Sequence, residues 1–171
     1  MGDAASVDDG PYDVAYARFL LSHVDNPASL LSRLVAVLAP GGVLIVEDID
    51  FTGSFCHPDL PAYWRYVELY RETVRRRGGN ADIGPTLPAL LQAAGLEDVQ
   101  LNVCQPAGLS GDAKLVSPLT LERISASVVD EGVASASEVD RVVAELYANY
   151  EDPRSVMSLP RIVQAWGRVP L

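Results

Sequence analysis

Three carboxylates crowd the end of one apolar run. In Val43-Leu44-Ile45-Val46-Glu47-Asp48-Ile49-Asp50 the acids arrive as the hydrophobic stretch stops. Side chains alternate across a strand, so Asp48 and Asp50 share one face and Glu47 takes the other. A carboxylate placed there can position an amine or accept a proton from a hydroxyl. It can equally be a solvated or capping acid. A second group, Arg18, Phe19 and His23, follows an earlier apolar run at residues 12–18. In open α/β sheets ligands bind beyond the carboxyl ends of strands, which is where these three fall; His23 also suits a locally bonded residue at a helix start. Tyr63, Tyr66 and Tyr70, with Trp64 beside them, recur at helical spacing and form either a pocket border or ordinary core. Cys56-His57 followed by Asp59 invites a metal reading. Adjacent ligands chelate one ion poorly, and no second Cys/His pair completes a tetrahedral site, so no metal is expected. The sequence has no Gly-x-Ser-x-Gly, and hydrolase chemistry lacks support.

These residues need elements to hold them. The run at 12–18 is apolar on both faces, as in a covered parallel strand. Asn26-Pro27 is a helix start, and Leu30, Leu31, Leu34, Val35 and Leu38 give the helical stripe. Ala39-Pro40-Gly41-Gly42 is expected to stop that helix and turn the chain into a second strand at Val43–Val46. Strand, helix, strand at this spacing is a right-handed βαβ unit. A helix carrying the tyrosines ends at Gly78-Gly79, and a short one runs from Thr86 to Gly95. A strand is expected over 99–104, a helix from Ser117-Pro118 to Gly132, and another from Ser137, where Ser137 and Asp140 form a capping-box pattern. The stretch 160–170 reads as a last strand. The chain is expected to be one domain over 1–171, divided into a loop (1–11), a βαβ unit (12–50), a helical substrate-side insertion (51–95) and C-terminal strands and helices (96–171).

Composition narrows the partners. The 171 residues are 49% hydrophobic and 21% charged, enough for a core, and the net charge is -10. Such a surface repels phosphate backbones, and the one basic cluster, Arg75-Arg76-Arg77, falls at a helix end where cations favour the dipole. No nucleic-acid partner is expected. The best apolar run is broken by Arg33 and Pro40-Gly41-Gly42, so no membrane span is expected. Cys56 and Cys104 have no redox spacing and no basic segment precedes an apolar block, which fits a cytoplasmic protein.

The stretch YDVAYARFLLSHVDNPASLLSRLVAVLAPGGVLIVEDIDF resembles the second half of the class I S-adenosylmethionine-dependent methyltransferases, and is most similar to their small-molecule, UbiE-like branch. LLQAAGLEDVQ and the closing VQAWGRVP are similar to that family's last strands. The resemblance implies a three-layer, Rossmann-like α/β core, truncated at its N-terminus, with parallel strands and an antiparallel C-terminal hairpin. It implies S-adenosylmethionine as cofactor and a small-molecule methyl acceptor. Gly2-Asp3-Ala4 resembles the family's segment in which Asp3 would bind the adenine amino group and Ala4 its edge. Arg18, Phe19 and His23 would contact the cofactor, Asp48 and Asp50 would be catalytic, and Phe51, Tyr63, Tyr66 and Tyr70 would border the substrate. The glycine-rich turn that holds the methionine part has no counterpart, so the chain alone is expected to bind cofactor weakly. The alternative is a non-enzymatic remnant or dimerising module of methyltransferase ancestry. A homodimer is expected through the strand edge at 12–18, which the resemblance leaves without its neighbour.

Overall fold

The computed structural model describes residues 10–171. Strand β1 (Tyr12–Arg18) runs parallel to β2 (Leu38–Asp50), joined through helix α1 (Pro27–Ala36). The start of α1 is set as the sequence suggests, because Asn26 Oδ1 accepts the Ser29 N–H at 2.9 Å and Pro27 occupies the first turn. Its end differs from expectation. The helix stops at Ala36, Leu38 already belongs to β2, and Ala39-Pro40-Gly41-Gly42 lies inside the strand as an irregularity. The pairing moves from Tyr12 opposite Leu38 to Val14 opposite Val43. The cause is a ladder with the chain's last segment: Gly41 N–H donates to Val169 O, and Val169 N–H to Gly42 O. Gly41 reaches this geometry with φ +77°, which a side chain would resist.

Strands β4 (Glu97–Cys104) and β7 (Arg161–Arg168) complete a sheet of order β1-β2-β7-β4, with β7 antiparallel to both neighbours. One face packs under α1 and α3 (Leu87–Ala93): Ala17, Leu44, Val46 and Ala165 meet Leu31, Leu87 and Leu91 in a core. On the opposite face Tyr12, Val14 and Tyr16 are exposed, in register with half-buried Val43, Ile45 and Trp166.

A second core gathers beyond the carboxyl end of β2. Ile49 and Phe51 meet helices α2 (Pro61–Arg76), α4 (Asp112–Asp130) and α5 (Ala136–Tyr150) through Tyr63, Tyr66, Leu121 and Leu146. A small sheet of β3 (Cys56–His57), β5 (Ala107–Gly108) and β6 (Val156–Ser158), in the order β3-β6-β5, closes this layer. Its strands of two or three residues are too short to carry a period. Helix α4 begins five residues before the expected Ser117, so Pro118 sits inside it. Its first turn is pinned instead by Lys114, a fully buried residue whose Nζ donates to Asp152 O (2.8 Å) and Ser155 Oγ (2.7 Å). Helix α5 is capped by Ser135 and not by Ser137: Ser135 Oγ accepts the Glu138 N–H at 3.2 Å. That start makes Val139 the fourth helical residue and lets it share the core with Ala134, just before the cap, in a hydrophobic staple.

Candidate functional site

The chemistry-bearing residues converge where β1 and β2 end. After Arg18 the chain bends sharply at Phe19, whose φ of +51° lies in the left-handed region, and its N–H donates to Glu47 O at 2.9 Å. A bulky residue held in that conformation is strained, and such strain recurs at ligand sites. Phe19 and Leu20 leave their side chains exposed there, the Phe19 ring carrying the Arg18 guanidinium 4.7 Å from its centroid. A single 3-10 turn at Leu21–His23 follows. Its middle residue, Ser22, is clasped from two sides. The Ser22 N–H donates to Asp48 Oδ2 at 3.0 Å, and Ser22 O accepts from Asn80 N–H at 2.9 Å, just after α2. Gly79 is required beside it, since a Cβ there would run into Ser22 O.

The carboxylates therefore have distinct places. Asp48 is fully buried, with Oδ1 accepting the Ile49 N–H at 2.9 Å and Oδ2 taken by Ser22. Asp50, also buried, caps the 3-10 turn at Phe51–Gly53 by accepting from Thr52 N–H (2.9 Å) and Thr52 Oγ1 (2.6 Å). Its Oδ2 is 2.7 Å from Arg161 Nη2, an ionic contact without hydrogen-bond alignment, and that nitrogen donates to Thr52 Oγ1. Glu47 faces the other way, accepting from Tyr16 Oη at 2.7 Å and lying 3.6 Å from Arg18 Nε. The bond to Glu47 raises the pKa of the Tyr16 phenol.

The aromatic residues separate as well. Phe51, Tyr63 and Tyr66 are buried, with Tyr63 Oη donating to Ser158 O at 2.8 Å. Tyr70 packs against Phe51, ring centroids 4.8 Å apart and planes tilted by 38°, and is the one of the four that reaches an opening. That opening is a cleft of about 600 Å3 between α2 and α4. His23 stands at it, with Tyr70 and Val74 from α2, Arg77 just beyond the end of that helix, and Thr120 and Ile124 from α4. Burial, with the negative charge of Asp48 as a smaller cause, pushes the Tyr70 phenol up to about 12. It stays protonated and can donate a hydrogen bond. Among the described residues no Asp or Glu lines the cleft. A depression of about 410 Å3 on the outer side of α2 is lined by charges that pair with one another, such as Arg71 with Asp82 and Arg75 with Glu72.

Of the expected site residues, the structure brings His23 and Tyr70 to one cleft, while Arg18 ends β1 and Phe19 follows it, neither of them in the lining of that cleft. Asp3 and Ala4 lie outside the described residues. Val74 and Arg77 follow Tyr70 at helical spacing and were legible in principle; Thr120 and Ile124 depend on the packing of α2 on α4, which no local signal announces. Cys56 and His57 form β3, and Asp59 accepts from Trp64 Nε1 at 2.6 Å. Among the described residues no group of three or more His, Cys, Asp or Glu is placed to hold a metal, and no helix is long and apolar enough to cross a membrane.

The family model described as "Methyltransferase domain" matches residues 2–101. Methyltransferase str3 of Strobilurus tenacellus is 44% identical over 86 residues, 50% of this chain and 31% of that protein. Methyltransferase str2 of the same organism is 31% identical over 84 residues, 48% of this chain and 30% of that protein. The chain thus spans about a third of the length of these curated relatives. Among solved structures, the BH2331 protein of Bacillus halodurans C-125 aligns with a TM-score of 0.53 at 19% identity, over 100% of this chain and 71% of that one. The YcgJ protein of Bacillus subtilis aligns with a TM-score of 0.51 at 12% identity, over 97% of this chain and 68% of that one. At these identities the likeness is one of fold.

Proposed function

Because the chain belongs to the class I S-adenosylmethionine-dependent methyltransferases, we propose that the cleft between α2 and α4 receives a small-molecule methyl acceptor and that the exposed end of β1 faces the cofactor. The observation that carries this reading is the meeting of His23 and Tyr70 across one cleft at the carboxyl end of the parallel pair. S-adenosylmethionine, when bound, supplies an electrophilic methyl group. The strained, outward-facing Phe19 with Leu20 beside it fits one side of such a cofactor as an apolar platform.

Methyl transfer is an in-line displacement, and the protein's task is alignment. In this reading Asp48 is a positioning residue: it holds Ser22, and through it His23, against the cleft. Asp50 holds the turn that places Phe51 under Tyr70. Tyr70, kept protonated, donates to an acceptor oxygen.

The test is transfer of tritium from saturating methyl-labelled S-adenosylmethionine to a panel of small phenols and amines. Thr120→Trp, which fills the cleft, is expected to reduce transfer roughly tenfold or more. Transfer untouched by that substitution overturns the cleft as acceptor site. A second reading is favoured by the exposed row Tyr12, Val14 and Tyr16 on the outermost strand of the sheet: an interaction module of methyltransferase ancestry that pairs with a second copy. Absence of both transfer and calorimetric heat on cofactor titration selects it.

A further inference from the structure

We infer that the acceptor is an apolar molecule bearing an acidic hydroxyl, and that His23 takes the proton this hydroxyl releases. The inference rests on the cleft being the acceptor site and adds the chemistry of its occupant. Three observations converge on it.

The first is the wall. The Tyr70 ring, Val74 and Ile124 give the cleft an apolar lining, and about 600 Å3 accommodates an aromatic body rather than a few polar atoms. The second is charge. In a chain of net charge -10, the cleft has among the described residues no carboxylate in its lining and one permanent cation, Arg77. Arg77 is ion-paired with Glu131, its Nε donating at 3.1 Å, and its two Nη groups carry donors that this bond does not use. An ammonium acceptor would be desolvated there with no anion to meet it. An oxygen acceptor, neutral or turning anionic, suffers no such penalty.

The third is the destination of the proton. When a hydroxyl is methylated, its oxygen forms the C–O bond with the sulfonium methyl, the electrons of the C–S bond return to sulfur as a thioether, and the hydroxyl proton has to leave. Tyr70 is already protonated. Asp48 has no accessible surface and both of its oxygens are engaged, and Asp50 is buried under Arg161. Arginine, threonine and serine in the lining are not bases. His23 is what remains: it lines the cleft, it is exposed to solvent, and an imidazole nitrogen can pass the proton on to water.

The experiment titrates the full chain with 2-naphthol and with its cationic counterpart, 2-naphthylmethylammonium, while following binding by fluorescence and the His23 and His57 ring signals by NMR. 2-Naphthol is expected to bind roughly tenfold tighter than the ammonium, and Arg77→Glu to close that gap. Naphthol is expected to move the His23 signals and leave those of His57 in place. Equal or tighter binding of the ammonium overturns the acceptor class while the cleft reading stands. Movement of His57 alone overturns the role of His23. If neither compound binds, or Thr120→Trp leaves both affinities unchanged, the cleft itself is the wrong site.

Discussion

Asp48 is a charged group with no exposed surface, and its stability rests on two backbone N–H donors. Hydrogen bonds to a charged acceptor contribute roughly 1.5–3 kcal/mol each. Asp48→Ala leaves both donors without their partner and is expected to lower the unfolding free energy by about 3 kcal/mol in urea denaturation, with Asp48→Asn costing less because one acceptor oxygen remains. Glu72 makes a different kind of prediction. Bonds from Arg75 and Arg76 bring its carboxyl from an ordinary 4.5 to about 2. A folded value below the unfolded one means that the stabilisation is present above pH 4.5 and is lost as pH falls toward 2. Glu72→Gln is therefore expected to be less stable than the parent at pH 6, with the difference vanishing across that window in pH-dependent denaturation. At this scale the sequence discloses type and face but not surroundings. Alternation along β2 put Asp48 and Asp50 together, yet their partners Ser22 and Arg161 lie 26 positions before and 111 positions after them, and only the folded chain brings those near.

Elements were legible where several local rules agreed. Asn26-Pro27 began α1, and Gly78, at φ +82°, follows the end of α2, because cap chemistry and hydrophobic period point to the same place. Boundaries moved where a distant segment intervened. The Pro40-Gly41-Gly42 stretch reads as a turn on its own and becomes strand once the chain's last residues pair with it. At α5 the two candidate caps, Ser135 and Ser137, each precede an acid by three positions, so the local pattern is degenerate. In the folded chain Ser135 takes the capping bond, with Ala134 and Val139 on either side of it drawn into the same core. Ser135→Ala is accordingly expected to cost about 1 kcal/mol, while Ser137→Ala stays within about 0.5 kcal/mol of the parent, both by thermal or urea unfolding. Equal costs would mean that the cap is shared.

For the molecule as a whole, the resemblance and the family match agree on the fold, while the sheet's uncovered face is visible only in three dimensions. Tyr12, Val14 and Tyr16 are 41%, 55% and 56% exposed, on the outermost strand of the sheet. A row of this kind on an open edge is a template for strand addition. Sedimentation equilibrium of the chain is expected to report a dimer, and Val14→Lys, which places a charge in the middle of the row, to report a monomer. A monomeric parent at high micromolar concentration would sink that expectation.

The double clasp on Ser22 joins two parts of the molecule that are far apart in sequence. One residue is tied through its N–H to the buried end of β2 and through its carbonyl to the first residues after α2. The mouth of the cleft and its wall are then one mechanical unit, and neither can loosen without breaking a bond held by the other. In hydrogen exchange, the amides of Ser22 and Asn80 would open together with a common free energy, and an occupant wedged against α2 would slow both by the same factor.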